Sequence, residues 1–205
     1  MPKSELALID LLDAVSECRL CAPHLPHGPR PVLQAAASAR LLIIGQAPGA
    51  KVHASGIPWD DKSGERLRHW LGVDPDVFYD PARVAIMPMG FCYPGKGVSG
   101  DLPPRAECAA QWHGQVLAGL PNVRLTLLIG HHAQRHYLAG YAGTLTDTVL
   151  AWRQHLPRFF VLPHPSPRNQ AWCMHHPWFE ADVVPELRRR VKACLQARPL
   201  QRRKP

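Results

Sequence analysis

Four groups of residues have types and spacings suited to chemistry. His164 stands between Pro163 and Pro165 in the stretch HPSPRN, directly after the apolar run FFVL. Prolines stiffen a loop and remove backbone donors, so the polar groups between them point in fixed directions. A histidine held that way can grip a ligand or carry a proton; the plainer alternative is a structural histidine bonded to a nearby carbonyl. The segment GIPWDDKSGERL, residues 56–67, sets Trp59 beside Asp60 and Asp61. An aromatic ring can stack on a flat ligand, and a carboxylate can hold a water or face a cationic centre. The alternative is a core Trp59 with one aspartate capping the next helix. GQAPGA, residues 45–50, is a tight turn whose glycines allow close backbone approach, so its N–H groups can face an anionic oxygen. Finally, Cys18 and Cys21 form C-x2-C, and Cys92 and Cys108 form C-x15-C. Four thiolates suit zinc or an iron–sulfur cluster, and spacing does not choose between them.

These groups need a scaffold. Four short apolar runs occur at residues 40–44, 83–87, 124–129 and 158–162. They are continuous rather than alternating, as in strands covered on both faces. Between them lie stretches with helical spacing: SGERLRHWLGV, opening with a Ser cap and placing Leu67, Trp70 and Leu71 on one face; RAECAAQWHGQVLAGL; and HHAQRHYLAG. Alternating strands and helices predict an α/β fold, a three-layer α/β/α domain with a short, mostly parallel four-stranded central sheet. Ligands bind beyond the carboxyl ends of such strands. The four runs lead into GQAPGA, PMGFCYPGKG, GHHAQ and PHPSPRN, all rich in Gly, Pro or His.

The chain of 205 residues reads as one domain over 1–190, N-terminal helix included, followed by a basic tail at 191–205. No apolar run reaches membrane-spanning length, and the amphipathic N-terminus lacks signal-peptide features, so a cytoplasmic protein is expected; a monomer is expected as well. Six cysteines there are thiols or ligands rather than disulfides. Residues 186–205 hold eight Lys/Arg and one acid, seven of the net charge of +8. A polyanionic partner or a solvated helix with a frayed tail accounts for this equally well.

In combination, the Gly-Pro turn after the first strand, the G-x-P-aromatic stretch and the HPSP loop after the last resemble the uracil-DNA glycosylase superfamily in type and order, over roughly residues 16–180. The cysteine pattern is similar to that of the thermophile-type bacterial branches. The resemblance implies a monofunctional DNA glycosylase of base excision repair. Such an enzyme flips uracil or another deaminated base out of DNA and hydrolyses its N-glycosidic bond. It implies a [4Fe–4S] cluster on Cys18, Cys21, Cys92 and Cys108, with zinc on the same four as the alternative. Trp59 matches the stacking aromatic. The Gln46 backbone and the His164 side chain match the groups that contact the carbonyl oxygen of the base. Ser166, Pro167, Arg168 and Asn169 match the loop that meets the duplex.

Two positions depart from the family pattern. Ala47 stands where some members carry a water-activating Asp or Asn; an iron–sulfur branch that also has Ala there uses an Asp in a D-x-S-G context, so the resemblance implies Asp61 in DKSG for that role, with Asp60 second. Pro88 stands where many members have an Asn that reads uracil. Proline has no side-chain donor or acceptor, and a site lacking paired hydrogen bonds loses most of its discrimination. Met87, Met89 or backbone groups are then expected to line the pocket. Ala47 and Pro88 also fit an alternative, a weak or inactive nucleic-acid-binding member. A third reading is a zinc-stapled α/β hydrolase of small molecules.

Overall fold

The computed structural model describes residues 3–196. In chain order it contains α1 (Lys3–Ser16), β1 (Leu41–Ile44), α2 (Ala50–Ser55), α3 (Lys62–Leu71), α4 (Pro75–Phe78), β2 (Val84–Ile86), β3 (Lys96–Gly97), β4 (Gly100–Asp101), α5 (Ala106–Ala118), β5 (Leu125–Ile129), α6 (Gly130–Tyr137), α7 (Leu145–Leu150), β6 (Phe159–Leu162), α8 (Gln170–His175) and α9 (Val184–Gln196).

Strands β1, β2, β5 and β6 form one sheet in the order β2-β1-β5-β6, every pair parallel. All their residues are buried except the half-buried Phe159, so helices cover both faces. This is the expected three-layer α/β/α architecture. From β1 the chain first builds the β2 edge, then returns to lay β5 on the other side of β1. The crevice between β1 and β5 is therefore the point where the winding reverses, the usual ligand position in such sheets.

The expected helices are present, with one changed cap. Asp61, not Ser63, caps α3, accepting the Gly64 N–H at 2.8 Å, and Ser63 is buried inside the first turn. Leu67, Trp70 and Leu71 form the buried face of α3, as its spacing predicts. The antiparallel hairpin β3–β4 was not expected. Its KGVSGD sequence has neither alternation nor β-branched density to announce a strand.

The basic tail also begins later than residue 191. Helix α9 continues to Gln196 and buries Val191, Cys194 and Leu195. Its arginines are partly engaged within the chain. Arg188 donates to the carbonyls of His69 and Trp70 at the end of α3, while Arg189 and Arg190 both pair with Glu186. The remainder of the tail lies outside the described residues. No helix among those described is long and apolar enough to cross a membrane.

Candidate base-binding pocket

A cavity of about 520 Å³ opens at the carboxyl ends of the four parallel strands. Each strand contributes: Gly45 to Gly49 follow β1, Pro88 follows β2, Gly130 and His131 follow β5, and His164 with Ser166, Arg168 and Asn169 follows β6. Trp59, Asp61 and Ser63 close one side, and Asp101 of the hairpin closes another.

Trp59 holds a left-handed backbone with φ of 58°, unusual for a bulky residue and strained when it occurs. Two glycines make room for it. A Cβ on Gly45 would meet the Trp59 ring at 2.8 Å, and one on Gly64 would fall 1.8 Å from the Trp59 carbonyl oxygen. That explains a glycine in the first turn of α3, where propensity alone disfavours it. Arg68 and the Tyr79 hydroxyl also donate to the Trp59 carbonyl, each at 3.4 Å. The half-buried ring lies 5.5 Å from the His164 ring, tilted by 32°. Trp59 thus belongs to the pocket wall. The nearby Asp61 both caps α3 and lines the cavity, whereas Asp60 is exposed and lies outside the lining.

The backbone fixes the tautomer of His164. The Ser166 N–H donates to His164 Nδ1 at 3.2 Å. A peptide N–H can only donate, so Nδ1 is the acceptor and the neutral ring carries its proton on Nε2. Burial pushes the His164 pKa down, while Asp61 and Asp101 pull it partly back. The loop is locked around this ring. Asn169 Nδ2 donates to the His164 carbonyl at 2.8 Å, Arg66 donates to the Ser166 carbonyl, and Ser166 Oγ accepts the Arg168 N–H. Arg168 reaches across to the Ser99 carbonyl of the hairpin at 3.0 Å. Arg168 and Asn169 thus each place one donor on a carbonyl of the chain, and Pro167 and Arg168 are exposed.

The wall after β2 differs. Met87 N–H donates to the Ile43 carbonyl, Met89 N–H to Gly45, and Gly90 N–H to Gln46. The Pro88 carbonyl faces Nε2 of His113 at 3.1 Å. A carbonyl can only accept, so Nε2 donates, and His113 Nδ1 accepts from the Tyr137 hydroxyl at 2.6 Å. Burial lowers the His113 pKa to about 4 and raises that of Tyr137. Met87 and Met89 are buried in the core and do not line the pocket, contrary to expectation. Pro88 lines the pocket, with these backbone groups already bonded.

Sequence reasoning missed Asp101, His131 and Ser63. His131 lies in the GHHAQ block after β5, and Asp101 follows a glycine in a stretch with no recognisable period. Asp101 accepts from Tyr93 at 3.4 Å, and its carboxylate stands 3.5 Å from where a Cβ on Gly49 would be. Folding thus brings a second carboxylate to the turn that carries Ala47.

The four paired cysteines line a separate apolar pocket with Phe91 and Trp112. Trp112 Nε1 donates to Cys18 Sγ and the Phe91 N–H to Cys108 Sγ, each at 3.3 Å. Burial pushes the Cys108 thiol up to about 12 and Cys92 to about 11. Among the described residues, no three His, Cys, Asp or Glu side chains are grouped to hold a metal ion. Cys173 and Cys194 lie elsewhere as free thiols, and Cys194 Sγ donates to the Arg40 carbonyl.

Fold and site together define a doubly wound α/β protein whose pocket combines an aromatic wall, a fixed neutral histidine and two carboxylates. A family model, that of the uracil DNA glycosylase superfamily, matches residues 33–188, well over half the chain. The protein belongs to that superfamily. The matched span includes every pocket residue described above, together with Cys92 and Cys108, and begins after Cys18 and Cys21.

Proposed function

We propose that the protein is a monofunctional DNA glycosylase that hydrolyses the N-glycosidic bond of uracil or another deaminated base in DNA. The observation that carries this reading is the His164 tautomer, with Nε2–H as donor in a pocket that also holds Asp61 and Asp101. Cleavage makes the sugar cationic and the departing base anionic. Donors placed where negative charge develops lower the barrier, and carboxylates favour the cation. In this reading the flipped base packs against Trp59 and its carbonyl oxygen accepts from His164 Nε2 and the Gln46 backbone. Asp61 or Asp101 orients the attacking water and faces the sugar. The base leaves with the bond's electron pair, the water adds to the anomeric carbon, and the water's proton passes to the carboxylate and from there to the anionic base.

Pro88 bears on which base is taken. Its wall offers no amide, so selection rests on fit within the cavity and on the His164 side. Ser166, Pro167, Arg168 and Asn169 form the part of the β6 loop that would meet the DNA backbone, with Pro167 and Arg168 exposed. Cys18, Cys21, Cys92 and Cys108 would hold a [4Fe–4S] cluster, favoured by four soft donors around one pocket and N–H bonds to two of the sulfurs. The cluster would tie the segment after α1 to the β2 loop and α5, and take no part in bond cleavage.

The test is base release from oligonucleotides carrying uracil, hypoxanthine or xanthine, single- and double-stranded, followed by alkaline cleavage of abasic sites. Release from at least one substrate is expected. Tight, salt-sensitive DNA binding without release from any would replace the enzyme with a binding protein, and Ala47 and Pro88 would be the reason.

A further inference from the structure

A cavity of about 430 Å³ lies between α3, α4 and α9, away from the base-binding pocket. Arg83, directly before β2, lines it, and so does Leu195, whose carbonyl accepts from Arg40 directly before β1. It therefore opens at the amino ends of the strands, the opposite end of the sheet from His164. Its floor is apolar: Leu71 and Leu195 are buried, and Val73 and Val77 are half-buried. Its rim is basic. The spacing of α9 puts Arg188, Arg189 and Lys192 on one side of that helix. With Arg83 they make four exposed cations, against one exposed carboxylate, Asp74, on the lining.

Two of the arginines are already mounted. Arg188 Nε and Nη2 donate to the Trp70 and His69 carbonyls, and its stem lies 3.2 Å from where a Cβ on Gly72 would be. Arg189 Nε and Nη2 both donate to Glu186. Groups ordered in advance lose less freedom when a ligand binds. Among the described residues no carboxylate pairs with Arg83 or Lys192. The chain leaves the edge of the cavity at Gln196, and the sequence that follows, ARPLQRRKP, has four Lys/Arg and no acid. Like charge makes that stretch a poor occupant.

We propose that this cavity docks an acidic segment of a partner protein, one that carries apolar side chains among its carboxylates. The carboxylates meet the arginine and lysine rim, as in other acidic motifs read by arginine clusters, and the apolar side chains cover the floor. DNA fits less well. Among the described residues the lining has no aromatic ring on which a base could stack, and a duplex feeding the pocket meets the other end of the sheet. The site needs no chemistry at the pocket, so it stands whether or not bases are released.

Fluorescence anisotropy tests this, with a labelled peptide in which glutamates and aspartates flank two leucines. The protein is expected to bind it, more weakly as salt is raised. Replacing both leucines by serine should weaken binding about tenfold, and so should the double variant Arg83→Glu with Lys192→Glu. The same charge reversal at Lys51 and Arg153, exposed positions outside the cavity, should change it less than about twofold. Affinity for a duplex oligonucleotide should stay within about twofold in the cavity variant. No binding of the peptide overturns the proposal, and so does an equal loss in both double variants. A duplex that displaces the peptide and loses affinity in the cavity variant would make the cavity a nucleic-acid contact. Concentration-dependent self-association lost in that variant would make it an interface between copies. Either result replaces the proposed partner.

Discussion

The walls after β6 and β2 stand at opposite edges of the sheet and differ in where their polar groups point. Both follow short buried parallel strands, and both are held by hydrogen bonds. After β6, bonds to Nδ1 and to the His164 carbonyl leave Nε2–H as a fixed donor. After β2, the N–H groups of Met87, Met89 and Gly90 turn toward β1 and its turn, and the Pro88 carbonyl turns toward His113. Under the proposed glycosylase reading, the first wall would act on the base and the second would shape its space.

Removing the donor should have the largest effect. His164→Ala is expected to slow base release about 100- to 1000-fold, the usual cost of losing a donor to a developing anion. A single-turnover assay on the best substrate checks it, and a rate within threefold of wild type, about 0.7 kcal/mol, would remove His164 from the chemistry. Asp61 comes next. Asparagine caps helices as well as aspartate, so Asp61→Asn keeps the α3 cap and removes the charge. Activity should fall about 100-fold with the melting temperature nearly unchanged, whereas Asp61→Ala should also lose about 1 kcal/mol of stability. If Asp101→Asn shows the larger loss, the water is held from the hairpin side instead.

The shaping wall predicts smaller effects. Pro88→Asn adds an amide to the pocket and should shift preference toward uracil over the purine lesions by roughly tenfold, the scale of one good hydrogen-bonded contact. It also adds a backbone N–H, which costs about 1–3 kcal/mol if left unpartnered. Competition assays and thermal melts read the two effects separately. His113→Phe keeps a ring between Phe91 and Tyr137 but orphans the Pro88 carbonyl and the Tyr137 hydroxyl. A loss of about 1–3 kcal/mol is expected, measured by denaturant unfolding.

His113 also sets an acid limit. Burial holds its folded pKa at about 4, below the ordinary 6.5. Above pH 6.5 neither state carries the proton and the group contributes no slope. As the pH falls from 6.5 toward 4, the unfolded chain takes up a proton that the folded chain refuses, so stability declines. The full effect is about 3 kcal/mol. Unfolding of His113→Phe across this window should show a shallower slope, and an equal slope would place the sensitivity elsewhere.

The scaffold and the types of group at its strand ends are legible in the amino-acid pattern alone. Parallel strands buried on both faces must be continuous apolar runs, so β1, β2, β5 and β6 were legible within a residue or two. The turns after them must be rigid and able to approach a ligand, so Gly, Pro and His marked the pocket in advance. Asp61 and Trp59 were legible as candidates because they lie close together in the chain.

Tertiary structure decided what long-range contacts decide. Only folding set Gly45 and Gly64 against Trp59, turned the Pro88 carbonyl to a histidine twenty-five residues away, and carried Asp101 to the Gly49 turn. It also set one donor each of Arg168 and Asn169 on carbonyls of the chain, which residue type alone does not show. The physical reason is common to all of these. Periodicity reports which face of an element is buried, but the direction of a single polar group depends on the one partner that the completed fold brings to it.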